Sequence, residues 1–300
     1  MKHYDVLIVG GGAAGMTAAW TLWRSKRTLK ILLAEREAQL GGVLRRCIHR
    51  GFGLGYFKED MTGIEYAGYL ENRLSHTEIE IRRGTEAFSL ADDRTVWLAG
   101  AGGWEQVSFR KMILAAGCME RSVGSLAVAG VRPSGVYGAG EMQEMINIHH
   151  YRPGKCAVVL GCGDIGLIVA RRLTLSGIKV RLIVERQKKS PAMERNIREC
   201  LIKYRLPLRL QSTIACLHGM PRLSGVTVKN LLTGELERVA CDTLAVAAGL
   251  IPDRTLTETF REDKPDWLYY CGNCDHVHAV VDSISFQAEK TALKIAEEII

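Results

Sequence analysis

The sequence lacks any apolar run near the ~20 residues that a bilayer-spanning helix requires. Its most apolar opening stretch, residues 8–19, is interrupted by glycines. No membrane span is therefore expected. It also lacks a block of like charge. The formal net charge of +7 is spread through small clusters such as Lys26-Arg27, Arg45-Arg46 and Arg171-Arg172, with acids between them. That pattern describes a solvated surface and argues against a nucleic-acid face or a basic tail. A disulfide framework is not expected either. The cysteines number nine, an odd count, and lie scattered through apolar segments as free thiols do in a reducing compartment. The first strand pattern, Tyr4-Asp5-Val6-Leu7-Ile8-Val9, begins almost at Met1, leaving no room for a leader and cleavage site, so a cytoplasmic location is expected.

What is present is a 300-residue chain that is 47% hydrophobic, enough for two domain cores. Its strongest feature is an internal repeat. Val6–Val9 leads into Gly10-Gly11-Gly12-Ala13-Ala14-Gly15, then a helical stretch to about Trp23, then Lys30–Glu35. Ala157–Leu160 leads into Gly161-Cys162-Gly163-Asp164-Ile165-Gly166, then a helical stretch to about Ser176, then Lys179–Glu185. One βαβ unit occurs twice.

Shorter alternating segments follow each unit. In the first half they are Ile79–Arg82, Thr95–Leu98, a turn at residues 100–103 and Val107–Phe109, which read as a β-meander. Each half ends on a buried strand that runs into glycine, Lys111–Gly117 and Asp242–Gly249. Thr62-Gly63-Ile64-Glu65 has the form of a capping box, and Ile64, Ala67, Leu70 and Leu74 continue it as an apolar helical stripe. Trp267–Tyr270 is expected as a strand, Cys271–Val281 as a loop and Ser285–Ile300 as a helix. These last elements have no βαβ unit of their own and should return to the first domain. The expected fold class is α/β: two Rossmann-like three-layer dinucleotide-binding domains, each with a β-meander, over residues 1–120, 121–249 and 250–300, with the first and last segments forming one discontinuous domain.

Each G-x-G-x-x-G follows a buried strand, opens a helix and is followed about 20 residues on by an acid, Glu35 or Glu185. The first glycine permits the tight turn, the second lets a pyrophosphate approach the backbone and the third lets helix and strand pack. The helix N-terminus receives the phosphates. The acid accepts hydrogen bonds from ribose hydroxyls and repels a 2′-phosphate. At Glu185 this favours NAD(H) over NADP(H), against the pull of Arg186, Lys188 and Lys189.

On these motifs the chain resembles two-dinucleotide-binding flavoproteins of the pyridine nucleotide-disulfide oxidoreductase superfamily, in the short form typified by bacterial thioredoxin reductase. The resemblance runs from residue 4 onward. It implies that FAD is held by Gly10, Gly12, Ala13, Ala14, Gly15, Glu35 and Arg36, by the second glycine turn at Gly41 and Gly42, and by Ala87, Ala115, Ala116, Gly117, Gly272, Asn273 and Asp282. It implies that NAD(H) is held by Gly161, Gly163, Asp164, Ile165, Gly166, Glu185 and Gly249. Ala116 stands where the family usually has threonine, and Asn273 where it usually has aspartate.

The departures narrow the function. Thioredoxin reductases place C-x-x-C just before the second fingerprint, whereas Val136–Met142 contains no cysteine. Lipoamide and glutathione reductases place two cysteines after the glycine pair, whereas Gly42–Cys47 offers one. Residues Ala115–Arg121 and Ser134–Gly140 resemble the FAD/NAD subunits of opine, amine and sarcosine oxidoreductases and of hydrogen cyanide synthase. Cys47–Leu54 with Tyr56-Phe57, Gly163–Ile168, and Gly272-Asn273 with His276-Val277-His278 and Val281-Asp282 resemble the flavoprotein accompanying a glycerol-3-phosphate dehydrogenase-type subunit. The resemblance implies hydride exchange between NAD(H) and FAD, with electrons passed to or from a partner dehydrogenase or acceptor protein. A stand-alone NAD(P)H reductase and a non-catalytic nucleotide sensor are the alternatives, and a homo-oligomer is compatible with each.

No catalytic side chain is required, because a flavin accepts hydride itself. Cys47, Cys271 and Cys274 are the candidates should a thiol take part. Cys271 and Cys274 with His276 and His278 crowd four potential ligands into eight residues, too tightly for an ordinary tetrahedral site, and no metal is expected.

Overall fold

Side-chain alternation along the opening strand sets the layers. In the computed structural model, which describes residues 1–299, Lys2–Val9 is a strand whose Val6 and Ile8 join one core while Leu7 joins another. A two-residue period requires this split. On the Val6 and Ile8 face lie three helices, Ala13–Ser25, Gly63–Leu74 and Val281–Glu298. On the Leu7 face, Val96, Leu98, Val107 and Phe109 of an antiparallel ribbon pack with Trp267 and Phe260. The result is helix, parallel sheet and ribbon in three layers.

The chain divides into two compact units, Met1–Met119 with the chain from Ile251 onward, and Glu120–Leu250. In the first, the sheet order is Glu80–Arg82, Ile31–Ala34, Lys2–Val9, Gly103–Leu114, Thr95–Gly100, Glu86–Leu90. Val6 pairs Ile31 and Val9 pairs Ala34, while Val9 pairs Leu114 on the other side, all in parallel. Strand Leu268–Tyr270 adds to Gly103–Leu114 at Met112–Leu114. In the second unit, Val136–Gly138, Thr243–Val246, Cys156–Leu160, Lys179–Val184 and Leu208–Arg209 form a parallel sheet in that order. Helices Ala139–Asn147 and Asp164–Leu175 contribute to the core on one of its faces. Ile214, Leu217, Val226 and Val228 of a separate four-stranded sheet pack against the other face. Both units are Rossmann-like α/β folds.

Four elements differ from expectation. The apolar spacing predicts separate strands at Val107–Phe109 and Lys111–Gly117, but a single strand, Gly103–Leu114, serves both roles. Its first half pairs antiparallel with Thr95–Gly100 and its second half parallel with Leu268–Tyr270. Residues 79–82 are expected in the meander; instead Glu80–Arg82 is the parallel edge strand beside Ile31–Ala34. The meander strand in its place is Glu86–Leu90. The last helix begins at Val281, four residues before Ser285, because Val281 and Ile284 already pack on the helical core; the expected end at Ile300 lies outside the described residues.

Small residues let the first and last helices approach closely: Ala14, Ala18 and Ala19 share a core with Ala288 and Ala292. Between them Ser285 Oγ lies 2.6 Å from the Tyr66 hydroxyl and accepts from Thr17 Oγ1 at 3.3 Å, so the polar groups of three helices satisfy one another inside the core. The capping box at Thr62 forms in both directions: Thr62 Oγ1 accepts from Glu65 N, and Glu65 Oε2 accepts from Thr62 N at 2.7 Å. Thr62→Ala should lower stability by about 1 kcal/mol. An unchanged urea midpoint for the first unit would show that this cap contributes nothing.

Candidate dinucleotide sites

Each fingerprint is a turn forced by steric limits. Gly10 has φ +106°, and a Cβ there would strike the Ala115 carbonyl oxygen, since strand ends Val9 and Leu114 lie side by side. A Cβ on Gly15 would strike the Gly10 carbonyl, so the third glycine lets the helix close onto the turn. The second unit repeats this. Gly161 has φ +102°, a Cβ there would strike the Ala247 carbonyl, and one on Gly166 would strike the Gly161 carbonyl.

The middle glycine behaves differently. A Cβ on Gly12 would meet nothing within 4 Å among the described residues, and one on Gly163 would meet only Pro191 Cγ at 3.9 Å. These two residues are the N-caps of helices Ala13–Ser25 and Asp164–Leu175, and neither helix has a side-chain cap bond. Open space beside uncapped backbone N–H groups at the positive end of a helix is what a phosphate requires.

Glu35 and Glu185 are buried at the ends of the following strands and make the same bonds. Glu35 Oε2 accepts from Gly11 N at 2.6 Å and Oε1 from Glu37 N at 2.8 Å. Glu185 Oε2 accepts from Cys162 N at 2.9 Å and Oε1 from Gln187 N at 3.0 Å. Each carboxylate thus locks the glycine turn to the next strand, and each oxygen keeps lone-pair capacity for a further donor.

Of the other predicted residues of the first unit, Gly41, Gly42, Ala115 and Gly272 lie against this turn or its flanking strand and helix, while Asn273, Asp282 and Ala87 are held by other segments. Gly41 N donates to the Gly11 carbonyl at 2.8 Å, and Gly41 and Gly42 take φ +115° and +52°. A Cβ on Gly42 would face Gly12 Cα at 3.5 Å. Ala115 N donates to the Val9 carbonyl, and Gly117, at φ +80°, accepts from Asp253 N. Gly272 packs so tightly on Ala14 that a Cβ would approach its Cβ to 2.8 Å. Asn273 Oδ1 accepts from His278 N at 2.9 Å. Asp282 sits in the first turn of the last helix, where its Oδ2 accepts from Gly55 N at 3.1 Å. Its Oδ1 is buried with no partner among the described residues. An elongated ligand with phosphates in its middle and hydroxyl donors beyond fits this series, from the Glu35 carboxylate past Gly12 and Gly42 to Gly272 and Asp282. Ala13 and Ala14 line the first helical turn. Arg36 is exposed next to Glu35, and Ala87 lies on the ribbon strand opposite Leu98.

In the second unit, Ile165 is 39% exposed in the first helical turn and Gly249 takes φ +112°, accepting from Arg121 N. Asp164 is not open to solvent partners alone. Its Oδ1 accepts from Met193 N at 2.9 Å and Asn196 Nδ2 at 2.6 Å. Ser190 Oγ donates to the Cys162 carbonyl at 2.7 Å. Segment 190–196 is thereby fastened to the glycine turn, a support that no spacing rule for the fingerprint reveals. Its only sequence signal is Ser190-Pro191, a turn-forming pair that ends the basic run after Glu185.

The candidate thiols are buried. All nine cysteines are free. Burial pushes Cys47 up to about 11, and its Sγ donates to the Val43 carbonyl at 3.4 Å. Burial likewise raises Cys274 to about 11 and Cys271 higher still. The Cys274 thiol lies 2.8 Å from the Leu114 carbonyl and 3.1 Å from that of Cys271. The rings of His276 and His278 meet at a tilt of 39° with centroids 4.1 Å apart, and Nε2 of His278 lies 3.0 Å from Gln287 Oε1. No group of three or more His, Cys, Asp or Glu among the described residues could hold a metal ion.

A family profile described as pyridine nucleotide-disulphide oxidoreductase matches residues 4–264, and the chain belongs to that family, whose members bind FAD and NAD(P). Among curated relatives, hydrogen cyanide synthase subunit HcnB of Pseudomonas protegens is 29% identical over 84% of this chain, which spans 58% of the length of that protein. Thioredoxin reductase of Treponema pallidum is 25% identical over 88% of this chain and 82% of its own length. The solved thioredoxin reductase of T. acidophilum superposes with a TM-score of 0.80 at 20% identity, covering 99% of each chain, a likeness of fold.

Thiols with a pKa of about 11 are almost wholly protonated at pH 8. Iodoacetamide at that pH should label Cys47 and Cys274 only after unfolding. Rapid labelling of either in the folded protein, read by peptide mass spectrometry, would contradict the burial described.

Proposed function

We propose that the first unit holds FAD, that the second holds NAD(H), and that the chain exchanges a hydride between them while passing electrons to or from a partner dehydrogenase subunit. The observation that carries this reading is the duplicated site: one open middle glycine, one uncapped helix and one buried carboxylate with the same pair of backbone bonds in each unit. Bound FAD supplies the hydride-accepting ring system.

The chain's own residues bind and orient. The N–H groups after Gly12 and Gly163 receive the two pyrophosphates. Glu35 and Glu185 accept from adenosine ribose hydroxyls with the lone pairs left over from their backbone bonds. Asp282 Oδ1 accepts from a hydroxyl of the bound FAD, which would satisfy its buried oxygen. The Glu185 carboxylate disfavours a 2′-phosphate and makes NAD(H) the preferred nucleotide, although Arg186, Lys188 and Lys189 are exposed nearby.

Two facts favour a subunit over a thioredoxin reductase. Residues 136–142 contain no cysteine, and the thiols of Cys47, Cys271 and Cys274 are held protonated by burial. HcnB is itself a subunit of a larger enzyme. A partner of the glycerol-3-phosphate-, amine- or opine-dehydrogenase type agrees with both. The second reading, a stand-alone reductase, draws support from the extent of the thioredoxin reductase likeness.

Anaerobic mixing with NADH separates the readings. The subunit reading expects one FAD per chain, bleached by NADH but without turnover until the partner is added. Rapid turnover alone favours the reductase, and failure to bleach contradicts hydride exchange. Stopped-flow reduction should be faster with NADH than with NADPH. Glu185→Ala should narrow that gap about tenfold, the size of one charge-assisted hydrogen bond. A wild-type preference for NADPH would overturn the nucleotide assignment. Cys271→Ser with Cys274→Ser should leave the bleaching rate within about tenfold of wild type. A larger loss with FAD retained would make the pair a redox relay.

A further inference from the structure

In the second unit, helices Ala139–Asn147 and Asp164–Leu175 end beside each other, where Arg172 Nε donates to Asn147 Oδ1 at 2.6 Å. At these ends lies a cavity of about 190 Å³, lined by Ile146, His150, Tyr151, Arg152, Arg172 and Ser176. That is several times the roughly 30 Å³ share of one water molecule and leaves room for a small ligand. We propose that this cavity is a binding site for a phosphate group, taken up as free phosphate or as a small phosphate monoester.

The lining is rich in donors and holds no acid. Arg172 uses its Nε on Asn147, and Arg152 uses one Nη2 bond on the Gly177 carbonyl at 2.6 Å. Neither guanidinium has a carboxylate partner among the described residues, so the other N–H groups of both forks remain open. The Ser176 and Tyr151 hydroxyls and the His150 ring also have no hydrogen-bond partner among the described residues. Helix C-termini oppose an anion, each with about half a negative charge. Two guanidiniums outweigh the two helix ends and leave the cavity positive by about one charge. A carboxylate is planar and matches one fork, whereas a phosphate offers three terminal oxygens and can engage both forks and a hydroxyl together.

The loop that closes the cavity is held in place. His150 takes φ +56°, a region that residues other than glycine seldom adopt. Tyr151 N donates to the Met145 carbonyl at 2.8 Å. The Tyr151 ring lies against that of His149 with centroids 5.9 Å apart, and His149 Nε2 lies 3.6 Å from Glu144 Oε1. Buried Ile146 supplies an apolar wall that suits the carbon of an ester. The glycine turn at Gly163 opens the same 12-residue helix at its other end, about 18 Å away. The proposal therefore does not depend on which nucleotide that turn binds.

Phenylglyoxal labelling of the full chain, with each arginine read by peptide mass spectrometry, tests the site locally. Millimolar inorganic phosphate should slow labelling of Arg152 and Arg172 together, about tenfold or more, and leave exposed Arg94 unchanged. Sodium chloride or acetate at equal ionic strength should protect neither. Arg172→Gln should abolish the protection of Arg152, and Arg152→Gln that of Arg172, because one ligand is held by both. Circular dichroism of each variant checks that the fold is retained. Methyl phosphate acting at lower concentration than inorganic phosphate would support the site as one for a monoester, and the reverse order would support free phosphate. No protection by either probe, or equal protection by acetate or chloride, would overturn the proposal. Protection of each arginine that survives loss of the other would overturn it as well.

Discussion

A buried carboxylate that braces a glycine turn is the constraint on which each unit depends. Taking a charged group out of water is costly unless donors replace the lost hydration. Glu35 and Glu185 meet that condition with two backbone N–H groups each. The same bonds fix where the turn sits relative to the second strand, and with it where the next helix begins. The turn in turn needs a glycine without Cβ at each point of backbone contact, at Gly10 and Gly15 and again at Gly161 and Gly166. The open middle glycine and the uncapped helix end follow from that geometry, so the feature that stabilises the turn also prepares it for an anion.

The rest of the first unit is arranged around this turn. The second glycine pair is hydrogen-bonded to Gly11, the strand end at Ala115 to Val9, and Gly272 rests on Ala14. Segments far apart in sequence are thereby drawn to one side of the sheet, which explains why residues beyond 251 must return to the unit that residue 1 begins. Thiols contribute packing here. Those of Cys47, Cys271 and Cys274 are enclosed among backbone carbonyls and apolar groups, an environment that disfavours the thiolate needed for exchange with a disulfide. These buried thiols support the proposed reading, in which electrons pass to a partner without a protein disulfide.

Much of this was legible in the sequence because it rests on local rules. Two strand–glycine–helix–strand–acid units are readable because glycine spacing and hydrophobic period act over some 30 residues. The Thr62–Glu65 box follows from capping chemistry and Ala67, Leu70 and Leu74 from helical period, whereas Ile64, expected in the same stripe, is 39% exposed and Tyr66 is buried in its place. What escaped depends on tertiary pairing. Strand Gly103–Leu114 changes partners midway, so its apolar pattern shifts from alternating to continuous and resembles two strands. Glu80–Arg82 is too short and too polar to reveal whether it pairs parallel or antiparallel. The anchoring of segment 190–196 by Asp164 and Ser190 joins residues almost thirty positions apart, with no periodic signature. Asp282 is expected at the site only through family resemblance; its unpartnered Oδ1 is a property of packing that no sequence pattern reveals.

The most direct test of the duplicated site is a crystal structure of the chain with FAD and NAD⁺ bound. The account predicts one nucleotide per unit, with each pyrophosphate at the N-terminus of its helix, after Gly12 or Gly163. It also predicts a ribose hydroxyl within hydrogen-bonding distance of Glu35 in one unit and Glu185 in the other. Either carboxylate found without a ribose beside it, or both nucleotides held by the same unit, would contradict it.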